Sequence, residues 1–264
     1  MRPATKMIAR FGLLTALALV LGLIDRAVPV SAVLGGFIPG IKLGLANTVL
    51  LYAVYLMDWK SCVALMLTKV VLSGFLFGSL TAILYSFSGG ALSLAVMLLI
   101  RNRPDRGALA AALLSAAALV FLLIRNSSPK GQMLVIDILI GLAFLASAAV
   151  FAAIRKGKIS GVMGTSLAGA VSHNIGQILM ACAVLHSPQL LTTYLPVLVG
   201  VGAAVGCLTG IVTERVMKAL KGTVSFDQIG RYRVGDSSVP LSSTSENRTA
   251  DENRGGEKLS GGQE

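Results

Sequence analysis

Three polar side chains, His173, Asn174 and Gln177, stand inside the apolar stretch GTSLAGAVSHNIGQ at residues 164–177. On a helix, positions three, four and seven apart share a face, so Ser166, Ala170, His173 and Gln177 form one stripe with Asn174 at its edge. Imidazole and carboxamide groups are costly in hydrocarbon, and such a stripe therefore faces a bundle interior, a partner helix or a cavity. Three roles fit these residue types: interhelical hydrogen bonds worth roughly 1 kcal/mol each, the wall of a substrate cavity, or a proton relay through His173. Lys69 is the one full charge well inside an apolar run, roughly 12 Å past its basic edge at about 1.5 Å per residue. Its ammonium either snorkels back to the headgroups or points inward to carbonyls, a carboxylate or an anionic substrate. An anionic ligand would give Lys69 and His173 a joint purpose.

The elements that must position these groups are membrane helices. Of the 264 residues 55% are hydrophobic and 13% charged, against roughly 25% charged in a soluble domain. Eight apolar runs can be marked: 7–24, 41–57, 61–85, 88–100, 107–124, 133–154, 161–185 and 191–213. A crossing helix needs about 20 residues, so the run 88–100 is short and must borrow a turn from its flanks. The runs do not alternate with period two, and backbone groups must pair internally in lipid, so they are helices rather than barrel strands. The first follows Arg2, Lys6 and Arg10 like a signal peptide, but no small-residue cleavage pattern closes it, and it is read as a retained span.

Basic residues orient the spans. With the N-terminus in the cytoplasm, thirteen fall on the cytoplasmic side (Arg2, Lys6, Arg10, Lys60, Arg101, Arg103, Arg106, Arg155, Lys156, Lys158, Arg215, Lys218, Lys221) and four outside (Arg26, Lys42, Arg125, Lys130). That is a positive-inside bias, and an even number of spans leaves both termini cytoplasmic. It also explains the formal charge of +11 without nucleic acid, because the cations sit at run ends rather than in a surface cluster. The segment DRAVPVSAVLGGFIPG, residues 25–40, is mildly apolar and broken by Pro29, Pro39 and three glycines, which suits a re-entrant or lid-like outer loop or a plain connection. Residues 222–264 lose hydrophobic character and read as a disordered cytoplasmic tail.

Small residues mark close packing. Gly202, Gly206 and Gly210 recur at four-residue spacing in the last run, a ridge for helix packing or for docking a subunit. Ala9, Gly12 and Ala16 form a similar face on the first run, where docking at the cytoplasmic edge is the favoured use. Cys62, Cys182 and Cys207 all lie in apolar runs, so neither a disulfide framework nor a metal site is indicated. There is no P-loop, so any ATP-driven transport needs other subunits. Nor is there an aspartate-rich cluster for Mg²⁺, a nucleophile elbow or a metal-spaced His/Cys set. Catalysis is unsupported, and no cofactor is implied.

The blocks IARFGLLTALALVLGLID, IPGIKLGLANTVLLYAVY, LTKVVLSGFLFGSLTAILYSFSGGALSL and GTSLAGAVSHNIGQILMA with YLPVLVG resemble the Gx transporter family. Its members are often labelled heptaprenyl diphosphate synthase component I and are similar to substrate-binding S components of energy-coupling factor (ECF) transporters. The resemblance covers roughly residues 7–100 and 159–220. It implies an all-α integral membrane protein of about eight spans, a six-helix core plus an inserted helical hairpin at residues 101–158, in the cell membrane. The halves of the core are then residues 1–100 and 159–221. The implied function is capture of a small organic molecule, such as a vitamin, flavin or prenyl or quinone precursor, for uptake energised by a separate T subunit and ATPases. Ala9, Gly12 and Ala16 are the matching docking face, and Lys69, His173, Asn174, Gln177, Ser166 and Lys42 the candidate substrate-binding set. The alternative is a non-catalytic membrane accessory of heptaprenyl diphosphate synthesis or flavin-linked electron transfer. The synthase label does not make the chain an enzyme, since prenyl-chain synthesis needs Mg²⁺-binding aspartates.

Overall fold

The computed structural model of the protein describes residues 3–27, 44–77, 80–125, 131–158 and 161–220. The loop expected at residues 25–40 lies outside these except for its first three residues, and Lys42 and the tail at 222–264 lie wholly outside.

The described residues form eight helices and no strand: α1 (Pro3–Ala27), α2 (Asn47–Leu56), α3 (Trp59–Phe77), α4 (Leu80–Ile100), α5 (Pro104–Arg125), α6 (Gly131–Arg155), α7 (Val162–Leu185) and α8 (Gln189–Leu220). Seven are long and apolar enough to cross a membrane, and α2, at 10 residues, is shorter. The chain is a multi-pass helical membrane protein. Large apolar side chains such as Phe75, Leu99, Ile124 and Ile8 stand exposed on the outside of the bundle, as a lipid-facing surface requires.

One boundary differs from expectation. The residues around Phe87 do not separate two helices: α4 runs from Leu80 to Ile100 through them and reaches 21 residues. The small and polar residues at Ser86, Ser88, Gly89 and Gly90 do not mark a turn. They lie within α4, where Gly89 and Gly90 are buried, and Ser88 Oγ donates to the Gly176 carbonyl at 2.7 Å. A Cβ on Gly176 would come within 2.7 Å of the Ser88 carbonyl oxygen, so α4 and α7 meet backbone to backbone.

Helix α7 is the axis of the bundle. It packs against α2, α4, α5, α6 and α8, and 67% of its span is buried, the largest share among the seven long helices. Its small residues (Gly164, Gly169, Gly176, Ala168, Ala170) let neighbours approach closely. On the other side, α5 and α6 form one apolar core with α7 and α8, in which Ala108, Ala111, Ile140, Leu167, Val171 and Ala203 are buried together. By contrast, α1 packs only against α2 and α3 among the described elements.

Candidate functional site

Three helices carry polar groups to the same depth. Asn47 lies nine residues before the end of α2, Lys69 ten after the start of α3, and His173 eleven after the start of α7. At about 1.5 Å per residue these are all roughly 14–17 Å from those helix ends, about half the thickness of a hydrocarbon layer of about 30 Å. The two-residue connection Met57–Asp58 turns α2 back into α3 and sets Asn47 opposite Lys69. Lys69 Nζ donates to Asn47 Oδ1 at 3.5 Å. This interior partner is at odds with an ammonium that only snorkels to the surface.

His173 and Lys69 line one cavity of about 20 Å³. Such a space holds about one water molecule. The C-terminal end of α1 adds Asp25, and the turn before α2 adds Gly44. Asp25 is buried at 2% exposure, and its Oδ2 accepts the Gly44 backbone N–H at 2.9 Å. Gly44 has φ +87, a conformation open to glycine at little cost. A Cβ there would stand 3.0 Å from His173 Cδ2 and 3.2 Å from Asn47 Nδ2, so the bare backbone seals the imidazole on this side. On the other side Gly89 does the same: its Cβ would lie 2.8 Å from His173 Nδ1.

Gln177 is one turn along α7, its carboxamide nitrogen 2.6 Å from His173 Nε2. Which of the two donates depends on the imidazole's tautomer, and in either case the contact holds the ring in place.

The rest of the stripe faces α8. Asn174 Nδ2 donates to the Leu198 carbonyl at 2.8 Å, and its Oδ1 is buried with no hydrogen-bond partner among the described residues. Ser166 Oγ donates to the Gly206 carbonyl at 2.7 Å and lies 2.9 Å from Thr209 Oγ1. Ser166 also lines a second cavity of about 10 Å³ with Asn47, Gly44 and Thr209. The α8 glycines permit this approach: a Cβ on Gly202 would lie 2.9 Å from Asn174 Nδ2, on Gly206 2.9 Å from Leu167 Cα, and on Gly210 3.2 Å from Met163 Cα. Of the expected set, Lys69 and His173 meet at the larger cavity, with Gln177 behind His173, while Asn174 and Ser166 bridge helices.

On α1, Ala9, Gly12 and Ala16 are exposed, and nothing lies within 4 Å of a Cβ on Gly12. The three cysteines are free thiols. No group of three or more His, Cys, Asp or Glu able to hold a metal ion occurs among the described residues.

Asp25 and Asn47 are the site residues that sequence reading missed. Asp25 follows an apolar run directly and reads as the first residue of a loop, whereas α1 continues through it to Ala27. The signal available was a carboxylate at the edge of a span whose neighbouring helix carries an interior lysine.

Residues 14–141 and 108–216 match the family described as heptaprenyl diphosphate synthase component I. The second matched segment begins before the first ends, and their overlap, 108–141, falls in α5 and α6 and the residues between them. No curated protein and no solved structure matches the chain.

Proposed function

Because the chain belongs to the heptaprenyl diphosphate synthase component I family, we propose that it is a non-catalytic membrane subunit that binds a small organic molecule within its helix bundle, for uptake driven by separate T and ATPase subunits. The observation that carries this reading is the convergence of Lys69, His173 and Asp25 on one cavity. Charges and imidazoles within a membrane bundle are expensive and concentrate where a ligand or ion passes. In its present form the cavity admits about one water, so loading requires a wall to move. Helix α1 suits this, since among the described elements it touches only α2 and α3 and it contributes Asp25. The bare face of Ala9, Gly12 and Ala16 on the same helix is the docking surface in this reading, so a partner subunit there would act on the helix that closes the site. We read α5 and α6 as the inserted hairpin.

The family's description favours a second reading, a membrane accessory of a prenyl diphosphate synthase in which the polar seam only joins helices. Mass spectrometry of small molecules retained by the purified chain separates the two. A molecule held by the wild type and lost in a monodisperse Lys69→Ala variant supports the binding subunit. An empty wild type that copurifies with a synthase partner supports the accessory.

A further inference from the structure

The second cavity, of about 10 Å³, lies where α2, α4, α7 and α8 meet, and its described lining includes Asn47, Ser166 and Thr209. Asn47 is 7% exposed, and its Nδ2 has no hydrogen-bond partner among the described residues. The other end of the carboxamide is committed. An ammonium has only donors, so Oδ1 is the atom turned to Lys69 Nζ, 3.5 Å away. Among the described lining residues, Asn47 belongs to the second cavity and Lys69 to the first. The carboxamide therefore stands across the partition between them, with Nδ2 on the second side. We propose that the second cavity is the site of one buried water molecule, which accepts from Asn47 Nδ2 and donates to the Ser166–Thr209 hydroxyl pair, whatever else the bundle binds.

The occupant follows from the donors and acceptors around it. Ser166 Oγ donates to the Gly206 carbonyl at 2.7 Å. Thr209 Oγ1 has two acceptors in reach, Ser166 Oγ at 2.9 Å and the Gly206 carbonyl at 3.3 Å. Both hydroxyl protons are thus used within the α7–α8 contact, while each oxygen keeps a lone pair. Whatever sits here accepts from an amide N–H and donates to a hydroxyl oxygen. A carbonyl oxygen only accepts, and a cation would face the N–H dipole, whereas water does both. Size agrees with this: about 10 Å³ is close to the least room that one water requires, and about three polar partners is usual for a buried one. A buried donor left without an acceptor is costly, and the water removes that cost. It also joins the Asn47–Lys69 pair to the Ser166–Thr209 pair, and so ties α2 to α7 and α8.

The test is a crystal structure of the full chain grown from a lipid phase, at a resolution that shows ordered water. It is done for the wild type and for Asn47→Leu, which keeps the size of the side chain and removes its amide. The expected result is one isolated density peak in the wild type, at hydrogen-bond distance (about 2.5–3.2 Å) from Asn47 Nδ2 and from Ser166 Oγ or Thr209 Oγ1. The peak should be lost in Asn47→Leu. An empty cavity overturns the proposal, as does a side chain that fills it or density continuous with a larger molecule. A peak that persists at full height in Asn47→Leu removes Asn47 from the site and overturns it too. The wild-type map decides even if the variant does not fold.

Discussion

The carboxamide nitrogen of Gln177 lies 2.6 Å from Nε2 of His173, one turn away on the same helix and buried with it. The pair binds a ring nitrogen that water cannot reach, so replacing Gln177 with leucine strands it. Leaving one such buried group unsatisfied costs about 1–3 kcal/mol. Gln177→Leu should therefore lower the unfolding temperature in detergent and reduce ligand retention, while Gln177→Glu should restore part of the stability by pairing with a protonated imidazole. Equal melting curves for wild type and Gln177→Leu would show that the contact is idle.

Asn174 and Ser166 reach across to α8 rather than into the larger cavity. Each of Asn174→Ala and Ser166→Ala should cost on the order of 1 kcal/mol, in the range of interhelical hydrogen bonds in membranes. Ligand held per folded molecule should not change. Ligand loss from a variant that melts like the wild type would return the residue to the binding wall.

Gly89 and Gly12 are both small residues in long helices, but they differ in what surrounds them. A Cβ on Gly89 would lie 2.8 Å from both Nδ1 and the carbonyl oxygen of His173, whereas nothing lies within 4 Å of one on Gly12. Gly89→Ala should destabilise by about 1–3 kcal/mol through overpacking, with the α4–α7 contact pushed apart. Gly12→Ala should be neutral in the isolated chain and register only if a partner subunit is present. Thermal unfolding of the two variants side by side reads the contrast.

The basic loops assign the two ends of the bundle. With Cys62, Cys182 and Cys207 replaced, a cysteine at Asn102 should react with an impermeant maleimide only after cells are opened. One at Ser187 should react in intact cells. Labelling of both from the same side would break the assigned topology.

Most spans could be read from apolar length alone, because lipid demands continuous apolar helix and tolerates little else. The division between α3 and α4 could not. Gly and Ser are used both for chain breaks and for backbone-to-backbone helix contacts, so Ser88 and Gly89 read as a break. Only the position of α7 shows their use, since they meet Gly176 and His173. For the same reason the polar stripe on α7 was visible as a stripe while its partition was not. Residues His173 and Asn174 are adjacent in the chain, yet one faces the cavity and the other α8, and that choice is made by which helices flank α7. The carboxylate of Asp25 remained hidden because its partner, the Gly44 N–H, lies across the whole intervening segment.

The burial of α7 among five neighbours bears on how the chain is made. Synthesis proceeds from the N-terminus, so α7 leaves the ribosome before α8, carrying Ser166, Asn174, His173 and Gln177 toward a hydrocarbon layer that offers them no partners. The acceptors for two of them, the carbonyls of Gly206 and Leu198, belong to the helix not yet formed. A bilayer that rejects unsatisfied polar groups would therefore hold α7 in the insertion machinery until α8 arrives, and the two would partition into the membrane together as an already hydrogen-bonded hairpin.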